Sequence, residues 1–281
     1  MNERKLSASM LTAYDRWLRR EERADATREK YLRSIRAFAA WLGGAAVTKD
    51  VVTEWKSQLV KRHQAPSTVN TALAALNGLF RFLGWEDCRA KFLKVQRCIF
   101  RAAERELTRT EYAHLLAAAK NSGDARLALL MESICATGIR VSEVKYLTVE
   151  AAQCGRAEVA LKGKIRTILL PAKLCRKLLK YAKKQKIARG GIFLTTGGKG
   201  MDRRQIWAAM KRLCRKAGVA PSKVFPHNLR HLFATAYYRV YRDIVKLADM
   251  LGHSSIETTR IYLVESGAEH QRQLDRLGLI T

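Results

Sequence analysis

At 281 residues the chain is long enough for two domains of ordinary size, each burying its own core. Its 53 lysines and arginines against 25 aspartates and glutamates leave a formal charge of +28, spread along the whole length, which points to a polyanionic partner, nucleic acid first. The first thirty residues lack an apolar signal core, no run nears the roughly 18 apolar residues of a membrane span, and the six scattered cysteines form no Cys-x-x-Cys pair, so a soluble cytoplasmic chain with reduced thiols is expected.

Apolar residues at helical spacing predict four helices in the first hundred positions. Leu11, Tyr14, Trp17 and Leu18 form one stripe, and Tyr31, Ile35, Phe38 and Leu42 a second that stops at Gly43-Gly44. Val51, Val52, Trp55 and Leu59 form a third, and Pro66-Ser67 opens a fourth carrying Val69, Leu73, Leu76, Phe80 and Leu83. The aromatics are read as packing groups, not base-stacking platforms, with basic opposite faces left for phosphates. After the polar stretch from Arg101 to Glu106, Thr108-Arg109-Thr110-Glu111 has the form of a helix capping box and marks a second domain. Helices are expected through Tyr112, Leu115 and Leu116, and from Asp124 to Thr137 with Gly138 as the stop.

Between Val149 and Pro171 the pattern shifts to short β-prone runs, Val159 to Leu161 and Ile165 to Leu170, joined by the basic turn Lys162-Gly163-Lys164. The rest reads as helices at Leu174–Tyr181, Ile206–Leu213, Leu229–Tyr238, Ile244–Leu251 and Ile256–Leu263, then an amphipathic piece with Leu274 and Leu277. The predicted fold is mainly α: a helical domain over residues 1–103, then a mixed, mostly helical domain with a small antiparallel β-sheet over 104–281.

Singly, no residue of the second domain is decisive in so basic a chain. Their order is. Thr137-Gly138-Ile139-Arg140-Val141-Ser142-Glu143 comes first, then the basic hairpin, then Pro226-His227-Asn228-Leu229-Arg230-His231, then Leu251-Gly252-His253, with Tyr262 nine residues on. This series resembles the tyrosine recombinase, or phage integrase, family, in its compact two-domain form that includes Xer-like resolvases and mobile-element integrases. The first domain resembles that family's four-helix, SAM-like core-binding domain. The resemblance implies a metal- and ATP-independent strand transferase acting on double-stranded DNA as a tetramer on two sites, through a 3′-phosphotyrosyl intermediate. It implies Arg140, Lys162, His227, Arg230, His253 and Tyr262 as the catalytic set, and no cofactor, metal or membrane partner. A type IB topoisomerase-like activity and a non-catalytic sequence-specific DNA-binding module are the alternatives.

The chemistry suits those residue types. Attack on a phosphodiester concentrates charge on the non-bridging oxygens, and a guanidinium, always charged, can donate two parallel hydrogen bonds there. His227 and Arg230, three apart, share a helical face, whereas His231 is expected to point elsewhere, as a core residue or one supporting the site from behind. His227 is the candidate proton acceptor and His253 a donor to a phosphate oxygen. A tyrosine of pKa about 10 is ionised about once in a thousand at pH 7, at a cost of about 4 kcal/mol that nearby cations can offset. Tyr262 is expected late in a short helix capped by Ser254 or Ser255, its ring projecting into a cleft. A hairpin lysine can protonate the leaving 5′ oxygen; Lys162, before the glycine, fits the family pattern better than Lys164, but the turn is one residue short of the common form. Glu143 is expected to orient a basic neighbour, and the resemblance implies that the apolar residues Leu274, Leu277, Leu279 and Ile280 dock on a neighbouring subunit, with packing inside the same chain as the alternative.

Overall fold

The computed structural model describes residues 4–94, 105–161, 164–262, 271–272 and 275–277. Two compact units divide the chain, Met1–Arg97 and Cys98–Thr281. The boundary expected at 103/104 lies outside the described residues, as do Leu274, Leu279 and Ile280. Among the described residues no helix is long and apolar enough to cross a membrane.

Among its described residues the first unit holds four α-helices, each with a local start or stop signal. In α1 (Ala8–Arg20) the Ser7 side chain accepts from the Met10 amide, and in α3 (Lys49–Lys61) Thr48 does the same for Val51. α2 (Asp25–Leu42) ends at Gly43 with φ +61°, and α4 (Pro66–Phe82) has Pro66 in its first turn. The four stripes meet in one core, with Tyr14, Ile35, Phe38, Leu73, Leu76 and Phe80 all buried. Phe38 and Trp55 pack edge to face at 5.2 Å, so these aromatics are packing groups. Burial pushes the Tyr14 phenol up to about 12. Gly78 is required here, because a Cβ would lie 2.5 Å from the Tyr14 hydroxyl.

Asn70 and Asn77, seven residues apart and therefore on one face of α4, then fasten the segment that leaves this unit. Asn77 Nδ2 donates to the Ala90 carbonyl and Ala90 N to Asn77 Oδ1, each at 2.9 Å. Asn70 makes the same pair with Leu93, at 2.9 and 2.8 Å.

In the second unit the capping box at Thr108 and Glu111 forms and starts α5 (Arg109–Asn121). α6 (Ala125–Thr137) follows, capped by Asp124 and ended by Gly138 at φ +64°. It is buried nearly all round, at Leu127, Leu130, Met131, Ile134 and others, and packs against α5 and later helices. A 3₁₀ turn runs Val141–Tyr146. Ahead of the two expected β-prone runs, the region after Val149 begins with a helix, α7 (Val149–Cys154). Thr148 caps its start and Gly155, at φ +71°, its end, and these caps outweigh the one β-branched residue.

Strands β1 (Arg156–Leu161) and β2 (Lys164–Leu169) pair antiparallel, from Arg156 opposite Leu169 to Leu161 opposite Lys164. Strand alternation puts Ala157, Val159 and Ile168 in the core and leaves Ile165 and Leu169 exposed. α8 (Ala172–Lys184), α9 (Arg203–Ala217), α10 (Pro226–Tyr241), α11 (Ile244–Leu251) and α12 (Ile256–Arg260) complete the unit. The five described cysteines are all free thiols.

Candidate active site

Turns, more than helices, set out the site. Gly138 ends α6 in a left-handed conformation, and a Cβ there would stand 2.4 Å from Phe233, so only glycine lets α10 approach. Arg140 then caps the 3₁₀ turn. The Glu143 carboxylate reaches back to accept from the Arg140 amide at 2.7 Å and from its Nη1 at 3.0 Å. Glu143 thus orients Arg140 as expected, through a cap and not through a shared α-helical face. α10 brings in His227, Arg230 and His231. α11 ends at Gly252, φ +65°, and delivers His253. Ser255 caps α12, which stops at Arg260. Tyr262 therefore sits two residues past the helix, not late within it, and its amide donates to the Thr259 carbonyl at 2.9 Å.

Tyr262 is 5% exposed, packed among three imidazoles rather than projecting into an open cleft. Its ring centroid lies 5.5 Å from His227, 5.5 Å from His231 and 5.7 Å from His253, the last nearly parallel at 5°. Its hydroxyl accepts from Arg230 Nε at 3.3 Å. His231 does not point elsewhere: four residues from His227, it returns to nearly the same helical face and stacks on the tyrosine. It is buried, with Nε2 3.5 Å from Glu106.

Arg230, 2% exposed, is the hub. Besides Tyr262, its Nη1 donates to the Gly138 carbonyl at 2.5 Å, and its Nη2 to the Leu251 carbonyl at 2.8 Å and to His253 Nε2 at 2.9 Å. Burial lowers its pKa, and the Tyr262 oxygen opposes that shift. Because a guanidinium only donates, His253 Nε2 must accept, which assigns the ring proton to Nδ1 and directs it to Thr259 Oγ1 at 2.8 Å. Burial, then the charges of Arg230, Arg140 and Arg166, depress the His253 pKa to about 4, so the ring is neutral at pH 7. In this arrangement His253 Nε2 is an acceptor engaged by Arg230.

Arg140 is the open cation, 43% exposed at its side chain, with Nη2 3.5 Å from the Gly252 carbonyl. His227 is exposed as well. Five of the six expected residues, Arg140, His227, Arg230, His253 and Tyr262, thus gather. Lys162 lies outside the described residues, and Lys164 opens β2.

Sequence reasoning missed Arg166, whose guanidinium contacts Glu143 Oε2, the oxygen that also accepts from the Arg140 amide. Its signal was the β2 alternation, which puts position 166 on the inward face with Ile168. It also missed Thr259 as the partner of His253. The spacing of His227 and His231 suits a metal as well, but among the described residues no group of three or more His, Cys, Asp or Glu side chains gathers.

Comparison with known proteins follows the same two parts. The family described as Phage integrase family matches residues 105–268, and Phage integrase, N-terminal SAM-like domain matches residues 11–87. Tyrosine recombinase XerC of Roseiflexus castenholzii is 31% identical over 283 residues, covering 93% of this chain and 84% of that protein. Tyrosine recombinase XerA of Thermococcus kodakarensis is 27% identical over 271 residues, covering 94% and 93%. The fold is also that of a lambda integrase tetramer solved on a Holliday junction, with TM-score 0.73 and 20% identity over 93% of this chain and 78% of that one.

Proposed function

Since the chain belongs to the phage integrase family, we propose that it is a site-specific tyrosine recombinase that cuts and rejoins double-stranded DNA through a phosphotyrosyl link to Tyr262. The observation that carries the assignment of the nucleophile is the hydrogen bond from the buried Arg230 guanidinium to the Tyr262 hydroxyl, inside a ring of imidazoles.

Each side chain has a part that its surroundings support. Arg230 favours the phenolate by placing a positive charge on its oxygen. His227 is the proton acceptor; His253 is a poor one, with a pKa of about 4 and its Nε2 engaged by Arg230. Arg140, held in place by Glu143 yet open to solvent, receives the scissile phosphate and stabilises the charge that grows on its oxygens. Tyr262 Oη bonds to phosphorus, the phosphorus–5′ oxygen bond breaks, and the hairpin lysine, Lys162 by preference over Lys164, protonates the leaving oxygen. A 5′ hydroxyl from the partner DNA then reverses the step. One phosphodiester replaces another of similar energy, so no nucleotide need be consumed.

Residues 1–103 grip the DNA core site and residues 104–281 carry the chemistry. Four subunits act together on two sites in the cytoplasm, with the C-terminal segment from Leu274 to Ile280 docking on a neighbour.

A pool of nicked duplexes with randomised flanks tests the reading. Incubation followed by denaturing electrophoresis gives a covalent protein–DNA band for the wild type and none for Tyr262→Phe, and sequencing the trapped ends yields the site. Binding without any band leaves only a DNA-binding module. Joined products from two duplexes carrying that site separate a recombinase from a topoisomerase.

A further inference from the structure

His253 stands beside the arginine that receives phosphate, yet the lone pair on its Nε2 is taken by Arg230, and the side chain that decides this is Thr259. We propose that Thr259 is a positioning residue whose hydroxyl lets a neutral His253 change from hydrogen-bond acceptor to donor when a DNA phosphate arrives. The proposal rests on the recombinase reading above and adds to it a residue for which that reading has no role.

Three observations point to this. Thr259 is fully buried, and its Oγ1 lies 2.8 Å from His253 Nδ1, its only hydrogen-bond partner among the described residues. At the other edge of the ring, Nε2 lies 2.9 Å from Arg230 Nη2, which can only donate, so the single ring proton sits on Nδ1 and Thr259 accepts it. The carbonyl of the same threonine accepts from the Tyr262 amide at 2.9 Å. One buried residue therefore holds the imidazole with its side chain and the tyrosine with its main chain.

The choice of a hydroxyl matters here. A carbonyl or carboxylate in its place could only accept, and would lock the ring proton on Nδ1. An amide N–H could only donate, and would lock it on Nε2. A hydroxyl does either by rotating about one bond. Arg140 reaches within 3.5 Å of the Gly252 carbonyl, so the phosphate it receives comes next to His253. A phosphate oxygen that takes the Arg230 N–H leaves the Nε2 lone pair facing an anion. Moving the ring proton removes that repulsion: Nδ1 gives its proton to water, Nε2 takes one from water, and the Thr259 hydroxyl turns to donate to Nδ1. The ring is partly exposed, so water reaches it. No net proton is gained, and the ring stays neutral where Arg230, Arg140 and Arg166 oppose a further positive charge.

The test combines nitrogen-15 NMR of histidine-labelled protein with single-turnover cleavage of the duplex recovered by wild-type trapping. Tyr262→Phe holds the complex uncut for the spectra, and His253→Gln assigns the ring signals. The proton is expected on Nδ1 in the free protein and on Nε2 in the DNA complex. Thr259→Val, with the same shape and no hydroxyl, should cleave about 30-fold more slowly, the loss expected for one buried hydrogen-bond partner, with DNA affinity within about twofold of wild type. Thr259→Ser, which keeps the hydroxyl, should cleave at least about tenfold faster than Thr259→Val. A ring proton on the same nitrogen with and without DNA overturns the proposal, as does a Thr259→Val protein that cleaves like the wild type or a Thr259→Ser protein as slow as Thr259→Val. If Thr259→Val does not fold, as judged by circular dichroism, the two spectra decide alone. Failure of the wild type to trap any duplex overturns the recombinase reading instead.

Discussion

Protonating His253 should weaken this protein more than protonating an ordinary surface histidine. The ring accepts from Arg230 at Nε2 and gives its one proton to Thr259, so a second proton would set two cations face to face. Its pKa falls from 6.5 to about 4. At about 1.4 kcal/mol per pH unit the full effect is about 3 kcal/mol, and the ring's partial contact with solvent reduces it to roughly half. The sign follows from proton counts: between about pH 4 and 6.5 the unfolded chain binds the proton and the folded one does not, so stability rises with pH across that window and is complete above it. Urea unfolding at pH 7 and pH 4.5 should show wild type losing between about 1 and 2 kcal/mol more than His253→Gln, which has no proton to gain. Ring resonances followed by NMR should place the His253 titration below pH 5. Titration near 6.5, with parallel pH profiles for the two proteins, would refute the tautomer and the hydrogen-bond scheme built on it.

Gly252→Ala combines a left-handed backbone cost of about 1–2 kcal/mol with the clash against Arg166. Its melting temperature should drop, and adding Arg166→Ala should recover the part due to the clash but not the backbone part. Glu143→Gln leaves two guanidinium groups against a neutral amide and should destabilise by about 3 kcal/mol in urea titration, with a larger loss of cleavage than of DNA binding. DNA affinity should fall steeply with salt, and Arg140→Ala, which removes the exposed charge proposed to receive the phosphate, should reduce the log–log slope by about 0.9.

Much of this was legible from periodicity and local chemistry. The four stripes of the first unit became four helices because each pairs a helical apolar repeat with its own start or stop signal, such as Thr48 or Gly43. The candidate site came from the resemblance of its residue series to the tyrosine recombinase signature, and folding brings five of those six residues together. Short-range geometry was harder. Capping by Thr148 and Gly155 made a short helix of Val149–Cys154, a stretch too brief for its apolar spacing to announce it. The face shared by His227 and His231 followed from helical spacing but was assigned to His227 and Arg230 alone. Arg166 and Thr259 were hidden for a different reason. Their roles depend on which carboxylate or imidazole folding places beside them, across 23 residues for Arg166 and Glu143 and six for Thr259 and His253. The asparagines of α4 likewise look like ordinary surface polar residues until the segment at Ala90 and Leu93 lies along them.

The claim on which the rest depends is that the Tyr262 oxygen becomes bonded to DNA. Trapped complex digested with nuclease and trypsin and read by tandem mass spectrometry should carry the nucleotide phosphate on Tyr262. The adduct on Tyr237, Tyr238, Tyr241 or any other residue would contradict the account.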